Sequence, residues 1–194
     1  MTICMKGNLA MEIWEDRIYT VEDINELPEG VRAELMDGKL YFMATPTTTH
    51  QCLVPEICRQ IRNHIDDKNG VCKVLASPAV FLYSDNSVYV EPDIVVQCDL
   101  DKLEKKGIIG APDWIIEVTS PSSVNMDYNK KLVRYRTAGV KEYWLVNPMD
   151  QTIIVYYFEQ NIMETYDFTC EVPVRILEDL VLDFKKISEA VVFF

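Results

Sequence analysis

Apolar residues recur at every fourth position from Leu53 through Ile57 and Ile61 to Ile65, which places them on one side of a helix over residues 51–65. Pro55 has no backbone N–H and is tolerable only in a first turn, so the regular part of this helix is expected to begin near Val54. Upstream, residues 20–27 read as a short helix with Thr20 as N-cap and Asp23 at the capping-box position, ended by Pro28 and Gly30. The Asp37-Gly38 pair is a turn signal, and residues 39–44 alternate like a strand, so a β-hairpin is predicted over 32–44.

Strand-like runs follow at 72–76, 79–83, 88–96, 114–119, 142–146 and 152–158. Among them one clear helix is predicted at 127–138, with Gly139 as its C-terminal stop. Residues 187–194 fit a short helix or a strand equally well. There is no internal repeat, low-complexity segment or linker. A chain of 194 residues, 48% of them apolar, suits one α/β (mixed α+β) domain with a two- or three-layer core. That domain is placed at 19–194, after an N-terminal extension over 1–18.

No apolar run reaches the roughly 20 residues a membrane-spanning helix needs, and Lys6, Gly7, Asn8 and Glu12 do not form a signal-peptide pattern. A cytoplasmic protein is expected. The six cysteines, Cys4, Cys52, Cys58, Cys72, Cys98 and Cys170, form no C-x-x-C pair and no zinc-spaced cluster, and read as reduced thiols packed mostly in the core. The net charge of −12 works against loose binding to a polyanion, because nonspecific affinity for nucleic acid comes from Lys and Arg neutralising phosphates. It leaves room for a local basic stripe beside a carboxylate-rich site.

Three carboxylates stand where a burial pattern calls for apolar residues. Glu91-Pro92-Asp93 leads into Ile94-Val95-Val96, and Glu117 interrupts the run from Trp114 to Val118. A charge in a buried strand costs several kcal/mol unless it is paired or bound to a cation. Each alone fits an ion pair at a strand end. Together, on adjacent strands, Asp93 and Glu117 make an oxygen-rich site suited to Mg²⁺ or Mn²⁺ and unsuited to zinc. After Glu117 the chain turns through Val118-Thr-Ser-Pro-Ser-Ser-Val into the helix carrying Asp127, Lys131 and Tyr135, which are four apart and share a face. An ordinary Asp-to-Lys helix pair accounts for that spacing by itself.

The order of motifs Glu-Leu-Met-Asp-Gly (34–38), Met-Ala-Thr-Pro with a later His (43–50), Glu-Pro-Asp-Ile (91–94), Ile-Glu-Val-Thr-Ser-Pro-Ser (116–122), Asp127-x3-Lys131-x3-Tyr135 and Ala-Gly-Val-Lys-Glu-Tyr-Trp-Leu-Val (138–146) resembles the Uma-type restriction-endonuclease family, of the PD-(D/E)XK superfamily. The resemblance runs from about Tyr19 to Phe158. It implies a restriction-endonuclease-like core, a mixed central β-sheet flanked by helices. It also implies a metal-dependent endonuclease with Asp93 as the first metal carboxylate, Glu117 as the second and Lys131 as the lysine. Thr119 occupies the superfamily's usual lysine position, and the Uma-type pattern moves that lysine to the following helix. Glu34 matches an acidic family position, as a support for the metal or a water, or as a hairpin salt bridge. His50 matches a position before a helix, as a cap, a substrate contact or a surface residue; His64 reads as solvent-facing.

On this reading the backbone carbonyl of Val118 assists the metal, and Lys130, Arg134 and Arg136, with Lys102, Lys105 and Lys106, contact flanking phosphates or simply face solvent. The residues leave duplex, single strand and RNA open; the resemblance points to DNA and, by analogy, to a homodimer. The competing reading is a nuclease fold that no longer cuts and serves as a dimeric binding or regulatory module. A third is a hydrolase of a small phosphate ester.

Overall fold

The structure, a computed structural model, describes residues 17–121 and 123–193. Residues 1–16 of the expected N-terminal extension lie outside the described residues. In chain order the elements are α1 (Val21–Asn25), β1 (Ala33–Met36), β2 (Lys39–Phe42), α2 (Thr48–Asp67), β3 (Lys73–Ala76), β4 (Val80–Phe81), β5 (Val88–Val90), β6 (Ile94–Gln97), β7 (Leu103–Glu104), β8 (Gly107–Ile109), β9 (Trp114–Val118), α3 (Leu132–Ala138), β10 (Glu142–Asn147), β11 (Thr152–Tyr157), β12 (Ile162–Asp167), β13 (Glu171–Pro173), β14 (Val181–Asp183) and α4 (Phe184–Glu189). A 3₁₀ turn (Leu100–Lys102) precedes β7, and a π-helical segment (Met126–Lys131) leads into α3.

The central sheet has the order β12-β11-β10-β9-β6-β3, mixed because β9 and β10 run parallel while the other neighbours are antiparallel. Strand alternation divides its side chains between two cores. Trp114, Ile116, Trp144 and Val146 pack with Leu53, Ile57, Ile61 and Ile65 of α2 and with Phe184 and Ile187 of α4. Burying each such α2 side chain stabilises the fold by about 1.5–3 kcal/mol. Ile115, Tyr143 and Leu145, on the opposite face, pack with Tyr135 of α3 and with Met36, Val80 and Val90 of a second sheet. That sheet has the order β2-β1-β5-β4-β8-β7.

The hairpin β1–β2 turns at Asp37 and Gly38, both at positive φ (54° and 70°), as a tight hairpin turn requires. The reciprocal box of α1 forms, with the Thr20 N–H donating to Asp23 Oδ2 at 2.8 Å. Gly139 ends α3 at φ 97°.

Several expectations change. Helix α2 starts at Thr48, capped by Thr47, whose side chain accepts from the His50 N–H. Pro55 therefore lies inside the helix; it and Gln51, whose carbonyl it leaves without an intrahelical partner, are both exposed, so water can serve that carbonyl. The run 88–96 is not one strand. It breaks at Glu91-Pro92-Asp93, because Pro92 cannot donate to a ladder, and β5 joins one sheet while β6 joins the other. The thiols are not all reduced: the register pairs Lys73 with Gln97, so Cys72 and Cys98 face each other one rung further on, and they form a disulfide. Cys52, Cys58 and Cys170 are free, and Cys4 lies outside the described residues. His64 is not simply solvent-facing, since its Nε2 lies 2.9 Å from the Glu178 carbonyl. Of 187–194, the start belongs to helix α4. Among the described residues no helix is long and apolar enough to cross a membrane.

Candidate functional site

Antiparallel pairing of β6 with β9 sets Ile94 opposite Ile116, so one rung further on Asp93 comes opposite Glu117. Period-two alternation then points both carboxylates to the face that carries Val95, Ile115 and α3. Asp93 Oδ2 accepts the Val118 N–H at 2.8 Å, and Glu117 Oε2 accepts the Asp93 N–H at 3.3 Å. Each side chain thus takes a backbone donor of the other strand, in place of the ladder that ends there.

Over this pair lies the helix that starts with the π-helical segment. Lys131 Nζ reaches Glu34 Oε1 at 2.8 Å, Glu117 Oε1 at 3.0 Å and Asp127 Oδ1 at 3.5 Å. Tyr135 OH donates to Glu117 Oε1 at 2.9 Å, and Tyr143 OH to the Asp127 carbonyl at 3.1 Å. Glu34, on β1, also accepts the Glu91 N–H at 3.0 Å. His50, in the first turn of α2, holds Nε2 2.9 Å from Asp93 Oδ1. Asp93 and His50 are each 16% exposed, whereas the side chains of Glu34, Glu117, Asp127 and Lys131 are at most 6% exposed. The cluster therefore has a buried floor and a rim open to solvent.

The charges do not balance, since three carboxylates pair with one lysine and a fourth, Asp93, lies beside Glu117. Burial pushes Glu117 well above the usual carboxylate range against the pull of Lys131, and Asp127, Asp93 and Glu34 push it further. Asp127 is raised too, first by burial. Burial opposes the Lys131 charge, but Glu117, Glu34 and Asp127 overrule it and hold its pKa well above the usual lysine value. Tyr135 and Tyr143 are kept protonated by burial and by the neighbouring carboxylates, so both remain donors. We take Lys131 as a fixed cation and the surplus of the cluster as negative.

That surplus suits a hard divalent cation. Asp127 Oδ1 makes no hydrogen bond, only the 3.5 Å ion pair with Lys131. Carboxylate oxygens carry two lone pairs each, so Asp93 and Glu117 Oε2 retain acceptor capacity. Among the described residues no three His, Cys, Asp or Glu side chains are already gathered into a metal cage. A Mg²⁺-like ion held by one or two carboxylates and otherwise by water needs no such cage.

Of the residues singled out in the sequence, Asp93, Glu117, Lys131 and Glu34 come together, with Val118 supplying an N–H. The basic residues do not join them. Lys130 Nζ lies 2.6 Å from Tyr41 OH, Arg134 pairs with Asp37, Arg136 donates to Asn161 Oδ1 at 2.7 Å, Lys102 reaches the Ala111 carbonyl at 2.9 Å, and Lys106 lies over the Phe81 ring. Glu91 turns away to Arg32. The contact of His50 with Asp93 and the donation by Tyr135 were not expected from the sequence. The second was visible only as a shared helix face with Lys131.

Comparison with known proteins adds three findings. The family model described as "Uma2: Putative restriction endonuclease" matches residues 21–186. An uncharacterized protein of Synechocystis sp. is 26% identical over 125 residues, covering 64% of this chain and 65% of that one, so the chain spans just under two thirds of that relative's length. The crystal structure of a "putative nuclease belonging to DUF820" from Anabaena variabilis superposes with a TM-score of 0.74 at 24% identity, covering 89% of this chain and 99% of that one. At that identity the likeness shows the fold, which is mixed α+β as expected.

Proposed function

The chain belongs to the Uma2 family, and from that membership and its buried lysine–carboxylate cluster we propose that it is a metal-dependent endonuclease that hydrolyses phosphodiester bonds in nucleic acid, with DNA as the first candidate. The observation that carries this reading is Lys131, an ammonium held within 3.0 Å of both Glu34 and Glu117, beside the partly exposed Asp93. Asp93 and Glu117 would hold Mg²⁺ or Mn²⁺, with the Val118 carbonyl as a further oxygen. When bound, such an ion lowers the pKa of a water and offsets charge on the scissile phosphate.

The chain's own groups do the rest. The Val118 N–H and His50 fix the plane of the Asp93 carboxylate, while Tyr135 and Lys131 fix that of Glu117. Glu34 holds the Lys131 ammonium in place, so that its charge is oriented before substrate arrives and stabilises the extra negative charge of the transition state. Asp93 and His50, at the open rim, are where a phosphate can enter.

One observation favours a second reading, a dimeric nuclease-fold module that binds or regulates without cutting. Arg134 and Arg32 are engaged by Asp37 and Glu91, and the net charge is −12. A cleavage screen over duplex DNA, single strands and RNA, with Mg²⁺ or Mn²⁺ and a small phosphodiester alongside, separates the two. Metal-dependent cutting that Asp93→Ala abolishes supports the endonuclease. Binding of metal and nucleic acid without cutting supports the module.

A further inference from the structure

Cys72 and Cys98 stand one rung beyond the Lys73–Gln97 pair of β3 and β6, and their disulfide closes that end of the pairing. Strand β3 is an edge of the central sheet and pairs there with β6. At its far end the Ser77 N–H donates to the Asp93 carbonyl at 2.9 Å. The edge strand thus runs from the disulfide to the backbone of a residue of the site. The two cysteines are not held alike. The Cys98 N–H donates to Asp113 Oδ2 at 2.7 Å, and Lys141 pairs with the same carboxylate, whereas Cys72 follows Gly70 and the exposed Val71. Cys72, and not Cys98, also lines a cavity of about 170 Å³ at the end of α2. Ile65 and Leu177 give that cavity an apolar wall, and Lys68, in an exposed pair with Asp179, gives it an ammonium.

We propose that the Cys72–Cys98 pair is a thiol–disulfide switch, opened by a small carboxylate-bearing thiol that enters this cavity and attacks Cys72, and that its reduction frees β3 and with it the backbone at Asp93. The inference stands apart from the cleavage chemistry put forward above, since the bond and the edge strand exist without metal or substrate. Exchange begins when a thiolate reaches one sulfur of a disulfide, and the cavity gives that access to Cys72. The incoming sulfur bonds to Cys72 Sγ while the Sγ–Sγ bond breaks, and Cys98 leaves with the electron pair as a thiolate that takes up a proton. A second thiol then displaces the first, so two small thiols become one small disulfide and their two electrons leave Cys72 and Cys98 as thiols. Asp113 still holds the Cys98 backbone, so β6 keeps its place. Strand β3 is left with the short ladder from Lys73–Gln97 to Ala76–Ile94 and the Arg62 donation to the Val74 carbonyl at 3.3 Å. A four-residue edge strand held in this way opens locally, without the rest of the sheet.

The experiment uses the full oxidised chain and reduced glutathione as the probe, quenched at intervals with N-ethylmaleimide and read by peptide mass spectrometry. The mixed disulfide is expected on the Cys72 peptide with Cys98 capped by maleimide, in at least about tenfold excess over the reverse arrangement. Hydrogen exchange before and after reduction should show the amides of residues 73–77 speeding up by about tenfold or more, with those of β9 and β10 unchanged. The double variant Cys72→Ser/Cys98→Ser should exchange like the reduced wild type whether or not glutathione is present. Glutathione found first on Cys98 overturns the cavity as the point of entry. A disulfide that glutathione leaves intact in the folded chain, or a chain in which oxidised glutathione never forms it, overturns the switch. Exchange in β3 that ignores reduction, or that rises equally through the whole sheet, reduces the bond to a general staple and overturns it too. The wild type alone yields each of these outcomes, so the result does not hang on how well the double variant folds. None of them depends on whether the chain cuts nucleic acid.

Discussion

Lys130 and Lys131 are adjacent in the chain, yet Lys130 Nζ ends 2.6 Å from Tyr41 OH on β2, and Lys131 Nζ ends among Glu34, Glu117 and Asp127. Neighbouring residues of a helix point in different directions, so one helical segment serves a surface contact and a buried cluster at once. Lys131→Met is expected to lower single-turnover cleavage by roughly 10²–10³, as loss of a fixed transition-state donor does. It should also destabilise the metal-free protein by about 3–5 kcal/mol, since three buried carboxylates lose their cation. Lys130→Met should alter binding at most. Equal cleavage rates for the two variants at saturating enzyme would refute the assignment.

The surplus negative charge gives a measurement that needs no substrate. Mn²⁺ at about a hundred times its dissociation constant adds roughly 2.7 kcal/mol, or about 5–10 °C in Tm for a chain of this size. Asp93→Ala and Glu117→Ala should each remove that rise in thermal melts. If both variants keep it, the ion binds elsewhere.

Arg134, on α3, is held by an ion pair with Asp37. Asp37→Asn should release it, strengthening DNA binding and steepening the log–log salt dependence by about one phosphate contact; Arg134→Ala should do the reverse. A salt slope unchanged by either substitution means that this face is only solvated.

Far from the site, burial pushes the Glu142 carboxyl up to about 7, against the donors Trp144 Nε1 at 2.6 Å and the N–H groups of Ile176 and Arg175 at 3.1 Å. The folded state thus binds its proton more tightly than the unfolded chain, whose pKa is near 4.5. The stabilisation from this proton is complete below pH 4.5 and is lost as pH rises through 7, on the order of 3 kcal/mol. Glu142→Gln should flatten the dependence of Tm on pH between 5 and 8. A variant as pH-sensitive as the wild type would place the titration on another group.

The parts of the fold written in local periodicity were legible. Four isoleucine and leucine positions fixed α2, Asp37-Gly38 fixed the hairpin, and Asp93 and Glu117 announced themselves as charges in apolar runs. What escaped depends on which strands pair. Cys72 and Cys98 are 26 residues apart and meet only because β3 and β6 are antiparallel. His50 reaches Asp93 across the end of a helix, and nothing local marks it. The edge strand β12, from Ile162 to Asp167, alternates only between exposed and half-buried positions, so its pattern is faint.

The break at Pro92 has a mechanical consequence. Glu91 hangs by its N–H from Glu34 in one sheet, and Asp93 by its N–H from Glu117 in the other, so the two residues flanking Pro92 rivet the sheets together, with Lys131 spanning the same gap. Amide protons of β1 and β5 should then exchange in step with those of β6 and β9 as one cooperative unit, slowed further by an ion at the joint. Loosening the rivet, by Glu34→Ala for instance, should let the hairpin sheet open on its own while the central sheet stays shut.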